Sequence, residues 1–381
     1  MNNRLLHTPE GVRDIYGKEY ARKLAVEQKL QNAIHCFGYE DIQTPSIEFF
    51  DVFSKEIGTT PSKELYKFFD KEGNTLVLRP DFTPSIARCA AKYFMEEKVP
   101  LRFSYNGNTF TNTSNLQGKL KEVTQMGAEL IGDPSVEADA EVISMVIEAL
   151  KSTGLTRFQV TIGEVDYFRG LCEEAGLDED TEKELRFCIS GKNFFAAQEL
   201  LEQKQIPEPY HSILLKLADM FENIESLEDA KSLVKNERSL QAIARLEKLK
   251  KRLEQYGVAE YITFDLGMLS KYQYYTGVVF KAYTYGIGDA VVKGGRYDNL
   301  LRKFGKDTAA IGFVIVIDDL LEALSRQKVV IDVPASGKIM YYRAGDETDY
   351  LVKLAEAAKL RKEGIPTVLS PEITENEEAD Q

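Results

Sequence analysis

KEVTQMGAELIG (residues 121–132) reads as a β-strand with two unlike faces. Side chains alternate along a strand, so Gln125, Gly127 and Glu129 share one face while Met126, Ala128 and Leu130 share the other. The apolar face fits packing on a helix. On the other face, a glycine between an amide and a carboxylate leaves room for a small ligand against the sheet. A solvent-facing glutamate is the plain alternative for Glu129. The strand-like LRFSYNG (101–107) comes shortly before, and the polar NTSNLQGK (112–119) between them suits an antiparallel hairpin with a long loop.

Working outward from that hairpin, residues 17–38 carry Leu24, Val26, Leu30 and Ile34 among charges, close to a helical stripe, with Gly38 placed as a C-terminal cap. TLVLRP (75–80) is a strand ending at proline. Thr83-Pro84 then sets a capping residue before proline at the first helical position, and SIARCAAKYFMEEK (85–98) continues as the helix. A helix over 136–152 and the strand FQVTIGEV (158–165) complete this half. Residues 166–257 turn long, charged and helical; in QAIARLEKLKKRLEQYG, Ile243, Leu246, Leu249 and Leu253 lie on one stripe. Strand signals return in YITFDLG, YYTGVVFKAYT and AVVKGGRYDNL, and IGFVIVIDDLLEALSR (311–326) reads as a helix. The fold class expected is α+β. A mixed, largely antiparallel sheet flanked by helices spans 1–165 and 258–330, with a helical insertion at 166–257. A short βαβ unit at 335–370 and an acidic tail at 371–381 follow.

Composition narrows the function classes. The 381 residues include no run of about 18 uncharged apolar residues, and the N-terminus lacks the apolar stretch of a secretory signal, which points to the cytoplasm and away from membranes. Cys36, Cys89, Cys172 and Cys188 are scattered without a CxxC pair and read as buried thiols in a reducing compartment. His7, His35 and His211 lie far apart, so no metal site and no catalytic triad is expected. A net charge of −13 weighs against nucleic acid as a partner, since binding phosphates takes a basic face.

Several spaced blocks carry a resemblance. GYEDIQTPSIE (38–48) looks like the dimer-forming first motif of class II aminoacyl-tRNA synthetases. LYKFFDKEGNTLVLRPDFT (65–83), QMGAELIG (125–132), YYTGVVF (274–280) and KGGRYDNLLRKFG (293–305) resemble histidyl-tRNA synthetase in particular, in order from about Thr8 to Leu324. The resemblance implies a class II synthetase-like core and a site for histidine. Asp81, Thr83 and Gln125 would hold the α-ammonium, Glu129 with Tyr275 would read the imidazole, and the adjoining Tyr274 would belong to the same histidine site. That assignment is chemically sound, because an ammonium and an imidazole N–H both need acceptors. Asp81 stands where the synthetases carry the longer glutamate.

The same comparison shows what is missing. Amino-acid activation builds negative charge on an α-phosphate that arginines must meet. Thr111 and Thr113 stand at the motif 2 arginine and glutamate positions, Asp319 at the third-motif arginine with Val316 at its glycine, and Ser270 at the histidyl-specific arginine. Each lost donor of this kind costs about 3–4 kcal/mol of barrier. Lys271, Arg88 and Arg296 are candidate replacements toward a ligand carboxylate, and the sequence does not choose among them.

The resemblance therefore implies the synthetase-like regulatory subunits of ATP phosphoribosyltransferase. These are non-catalytic homodimers, without a cofactor, that associate with short-form catalytic subunits, sustain their activity and confer feedback inhibition by histidine. The alternative is a degenerate synthetase paralogue that handles tRNA or serves as an accessory factor; an active synthetase would require the missing arginines.

Overall fold

The computed structural model describes residues 4–54, 60–113, 119–218, 226–269, 274–333 and 337–372. The chain divides into two compact units, Met1–Ile331 and Asp332–Gln381.

In the first unit α1 (Gly17–His35) precedes β1 (Glu40–Asp41) and β2 (Ile47–Phe49). Then come β3 (Lys67–Phe69), β4 (Thr75–Leu78), α2 (Thr83–Tyr93), β5 (Leu101–Phe110), β6 (Glu122–Ile131), α3 (Val136–Ser152) and β7 (Phe158–Glu164). The helices α4 (Val165–Glu174), α5 (Glu179–Ser190), α6 (Phe194–Gln203), α7 (Tyr210–Ala218), α8 (Leu227–Ser232) and α9 (Glu237–Gln255) follow. The unit closes with β8 (Ile262–Phe264), β9 (Val278–Thr284), β10 (Val292–Arg296), β11 (Ala310–Val316) and α10 (Ile317–Arg326).

The main sheet runs β1-β5-β6-β11-β10-β9-β7-β8, and β2-β4-β3 form a small antiparallel sheet. Within the main sheet only β1 with β5 and β7 with β8 pair in parallel. Parallel neighbours need a crossover connection. The helices α4 to α9 occupy the one between β7 and β8, which is why a helical insertion can interrupt an antiparallel sheet without breaking it.

The apolar side of the sheet behaves as its alternation requires. Met126, Ala128 and Leu130 are buried, and α3 packs on β11, α10 on β6 and α9 on β7. Ser135 caps α3 by accepting from the amide of Ala138 at 3.1 Å. The stripe Ile243, Leu246, Leu249 and Leu253 of α9 is buried as expected. On α1, Val26, Leu30 and Ile34 are buried but Leu24 is 46% exposed, so the stripe is narrower than its sequence suggests.

Three further expectations give way. Residues 311–326 are a strand and then a helix: Ile311 to Ile315 sit between β6 and β10, and a central strand covered on both faces reads as a continuous apolar run. The helix begun at Thr83 ends at Tyr93 rather than 98, with the Phe94 amide donating to Ala90 O at 3.0 Å. Of the four free thiols, Cys172 and Cys188 are buried, but Cys36 is exposed at the end of α1 and Cys89 is half-buried.

The second unit is β12 (Lys338–Tyr342), α11 (Glu347–Lys362) and β13 (Thr367–Pro371), with the two strands parallel. The acidic tail lies outside the described residues from 373 onward, as do Ser270 and Lys271.

Candidate functional site

β6 places Glu129 directly opposite Phe103 of β5 and Gly312 of β11, and Gly312 in turn faces Gly295 of β10. Residues paired across antiparallel strands share a face, so the polar face of β6 continues across neighbouring strands as Gly312 and Gly295. These glycines are there for space. A Cβ on Gly312 would overlap the Glu129 carboxylate, and one on Gly295 would meet the Tyr275 ring at 2.7 Å. A Cβ on Gly127 would overlap the Tyr105 hydroxyl. The floor of the site is therefore bare backbone on which Glu129, Tyr275 and Tyr105 lie.

Glu129 is 1% exposed, which removes the solvent-facing alternative. Its Oε1 accepts from the Thr83 hydroxyl at 2.7 Å, and its Oε2 accepts from the Tyr297 hydroxyl. Burial pushes the carboxyl up to about 8, against the opposing pull of those two donors. Burial also raises the phenols of Tyr105 and Tyr297 well above their ordinary value, with the Glu129 charge adding to it. Asp81, whose carboxyl is likewise raised by burial, accepts from the Thr83 amide at 3.2 Å. Thr83 is not the capping residue of α2: Phe82 occupies that position, and the Thr83 hydroxyl serves Glu129 instead.

Tyr274 and Tyr275 stack at 4.4 Å, and Tyr274 meets Tyr297 edge-on at 6.1 Å. Gln125 lies four residues before Glu129 on the same face, opposite Gly107 and Val316, and its side-chain amide makes no hydrogen bond to a described residue. The structure thus gathers Asp81, Thr83, Glu129, Tyr274 and Tyr275 around one face, with Gln125 at its edge. Sequence reading missed Tyr297, Tyr105 and Gly312. Tyr297 lay inside the quoted KGGRYDNL block, and its place directly after a strand of the sheet was the available signal.

Two candidates for a ligand carboxylate are otherwise engaged. Arg296 is buried on the opposite face, where it donates to Asp139 Oδ1 at 2.9 and 2.6 Å and to the carbonyls of Asp133 and Ser135. Arg88 donates to Glu48 at 2.8 Å. At the positions that the resemblance would turn toward a phosphate, the residues are neutral or acidic. The Thr111 amide donates to Lys121 O at 2.9 Å, and Asp318 accepts from the Thr124 amide at 2.9 Å and pairs with Arg13 at 3.6 Å. Burial raises the carboxyl of Asp319, opposed by the charge of Lys293 and helped by Asp289, Asp318 and Glu322.

Comparisons with known proteins identify the family and the fold. The family described as histidyl-tRNA synthetase matches residues 11–320. A protein of Acetivibrio thermocellus described as an ATP phosphoribosyltransferase regulatory subunit is 40% identical over 94% of this chain and 85% of its own. One of Clostridium kluyveri with the same description is 35% identical over 96% and 93%. A crystal structure from Bacillus halodurans, described as an ATP phosphoribosyltransferase regulatory subunit/histidyl-tRNA synthetase, superposes with a TM-score of 0.86. It is 32% identical and covers 98% of this chain and 96% of that one. A histidyl-tRNA synthetase from Nostoc, 18% identical with a TM-score of 0.79, shares the fold. The chain belongs to the family of ATP phosphoribosyltransferase regulatory subunits, built on the histidyl-tRNA synthetase fold.

Proposed function

We propose that this chain is the non-catalytic regulatory subunit of a cytoplasmic ATP phosphoribosyltransferase complex. It sustains the activity of a short-form catalytic subunit in the first step of histidine biosynthesis and confers feedback inhibition by histidine. One observation carries the reading: acceptors for an imidazole and an ammonium remain around Glu129, while the phosphate-facing positions Thr111 and Asp319 hold no cation. Recognition without activation suits a sensor. The residues assigned to histidine are Asp81, Thr83 and Gln125 for the ammonium and Glu129 with Tyr275 for the imidazole, with Tyr274 beside them. The synthetase-like core comprises 1–165 and 258–330 and forms the homodimer through the segment at 38–48. The insertion at 166–257 and the βαβ unit at 335–370 are appended to it. No cofactor takes part, and tRNA is not a partner.

Co-purification tests the assembly: a tagged copy retains the short-form catalytic subunit, and failure to do so overturns the proposal. Retention of tRNA in a salt-sensitive gel shift would instead favour the RNA-handling alternative.

Calorimetry tests the sensor. An imidazole N–H directed at Glu129 favours the ionised carboxylate, so binding lowers a carboxyl that stands at about 8 in the free protein. Binding therefore releases protons at pH 7, and affinity rises with pH up to about 8. Glu129→Gln keeps the shape but cannot ionise. It should weaken histidine by about 10- to 100-fold, the range for a charge-assisted hydrogen bond, and reduce the proton release seen across buffers of different ionisation enthalpy. Unchanged affinity in Glu129→Gln would remove Glu129 from the site.

A further inference from the structure

Arg79 stands out among the buried cations. Its residue is 6% exposed. Nε donates to Asn108 O at 2.9 Å and Nη1 to Thr44 O at 2.8 Å. No hydrogen bond to a described residue uses Nη2, and no carboxylate of a described residue lies within ion-pair distance. Burial lowers its tendency to hold the proton, opposed only by the charge of Glu48, which is itself paired to Arg88. A buried guanidinium bonded to neutral carbonyls alone is an incomplete arrangement, because buried charge is normally matched by opposite charge.

Its position says where the match belongs. The guanidinium lies 3.9 Å above the ring of Phe82, the residue between Asp81 and Thr83. Phe82 stacks at 4.4 Å on Tyr105 of the site floor. Nη2 comes within 2.7 Å of where a Cβ on Gly107 would stand. Gly107 pairs with Gln125 across β5 and β6, so the unused donor sits on the ligand face, level with the amide assigned to the ammonium. An amino acid with its imidazole at Glu129 and its ammonium near Gln125 directs its remaining group, the carboxylate, toward this end.

We propose that Arg79 is the carboxylate-recognising residue of the site, taking the part that arginines at positions 111 and 270 would have played. The inference rests on the reading of the site as one for histidine. Phe82 and the two carbonyl bonds hold the guanidinium in one orientation, so little side-chain freedom is lost when an anion arrives. The missing side chain at Gly107 keeps the approach open. Selectivity then follows from charge: a ligand with imidazole and ammonium but no carboxylate leaves Arg79 unmatched.

The test compares histidine with histamine, which differs only by lacking the carboxylate, in calorimetric titrations of the full-length chain. The wild type is expected to prefer histidine by about 10- to 100-fold. Arg79→Met should remove that preference while leaving histamine binding within about twofold of wild type, after a thermal melt has shown the variant to be folded. Gly107→Ala gives a second route that spares the carbonyl bonds of Arg79. Its Cβ would meet Nη2 at 2.7 Å and Phe82 at 3.1 Å, so histidine should weaken more than histamine. Equal losses for both ligands in both variants would make Arg79 purely structural and overturn the proposal. A retained preference in both would do the same. If neither ligand binds the wild type, the histidine reading itself fails, and this inference with it.

Discussion

Replacing Gly312 with alanine is expected to abolish histidine binding while leaving the chain folded. The Cβ would overlap the Glu129 carboxylate and approach the Ala128 carbonyl at 2.7 Å. Gly312 lies in β11 between β6 and β10, so its backbone cannot move aside without breaking ladders on both edges. The carboxylate must yield, and in yielding it leaves both the Thr83 and the Tyr297 hydroxyls. Forced displacement in a packed site costs about 1–3 kcal/mol, which for a chain of this size lowers Tm by roughly 1–4 °C. The binding loss is larger, since the displaced group is the one assigned to the imidazole. Gly288→Ala is the matched control, because a Cβ there meets nothing within 4 Å. Histidine affinity in Gly312→Ala within twofold of wild type would show that Glu129 does not lie in the ligand's path.

That argument also marks where sequence reading runs out. The two faces of β6 are legible because alternation is a property of one strand, but the strand alone leaves Glu129 open as a ligand contact or a solvent-facing carboxylate. Its environment is not legible there. Gly312 and Tyr297 reach Glu129 through the pairing order β6-β11-β10, and register between strands far apart in the chain leaves no local trace. Thr83 shows the opposite failure. A threonine before proline carries a strong local capping signal, yet its hydroxyl is drawn off by a buried carboxylate from another strand. β11 was hidden for a third reason, since a strand buried on both faces loses the alternation that identifies it. Arg296 follows the same logic. Beside two glycines it resembles a turn or a ligand contact, but alternation along β10 turns it away from Gly295 and into the helices.

The interior position of Arg296 makes the largest stability prediction. Asp139, fully buried on α3, accepts two hydrogen bonds from Arg296 on Oδ1 and two from Arg245 of α9 on Oδ2, at 2.9 and 2.6 Å in each case. One carboxylate thus joins a core strand, the capped start of α3 and the longest helix of the insertion. Burial pushes its carboxyl up while the two guanidiniums pull it down. Removing one member of a buried ionic group strands the others, which costs about 3–5 kcal/mol. Asp139→Ala should lower the urea-unfolding free energy by that amount. The pair Glu137–Arg252 bridges the same two helices at the surface, and losing it should leave stability near wild type, because exposed pairs are screened and entropically costly. Replacing Asp139, Arg245 and Arg296 together by apolar residues of similar volume should cost less than Asp139→Ala alone, since the charged partner then left behind, Asp298, is partly exposed to solvent. The effect also reaches the ligand face. Arg296 lies between Gly295, on which Tyr275 rests, and Tyr297, which donates to Glu129, and its carbonyl accepts from the Thr276 amide at 2.8 Å. Asp139→Ala should therefore weaken histidine binding as well, although Asp139 faces the other side of the sheet. A loss of stability below about 1 kcal/mol would place the ion cluster among the solvated pairs and remove the insertion's main polar anchor to the core.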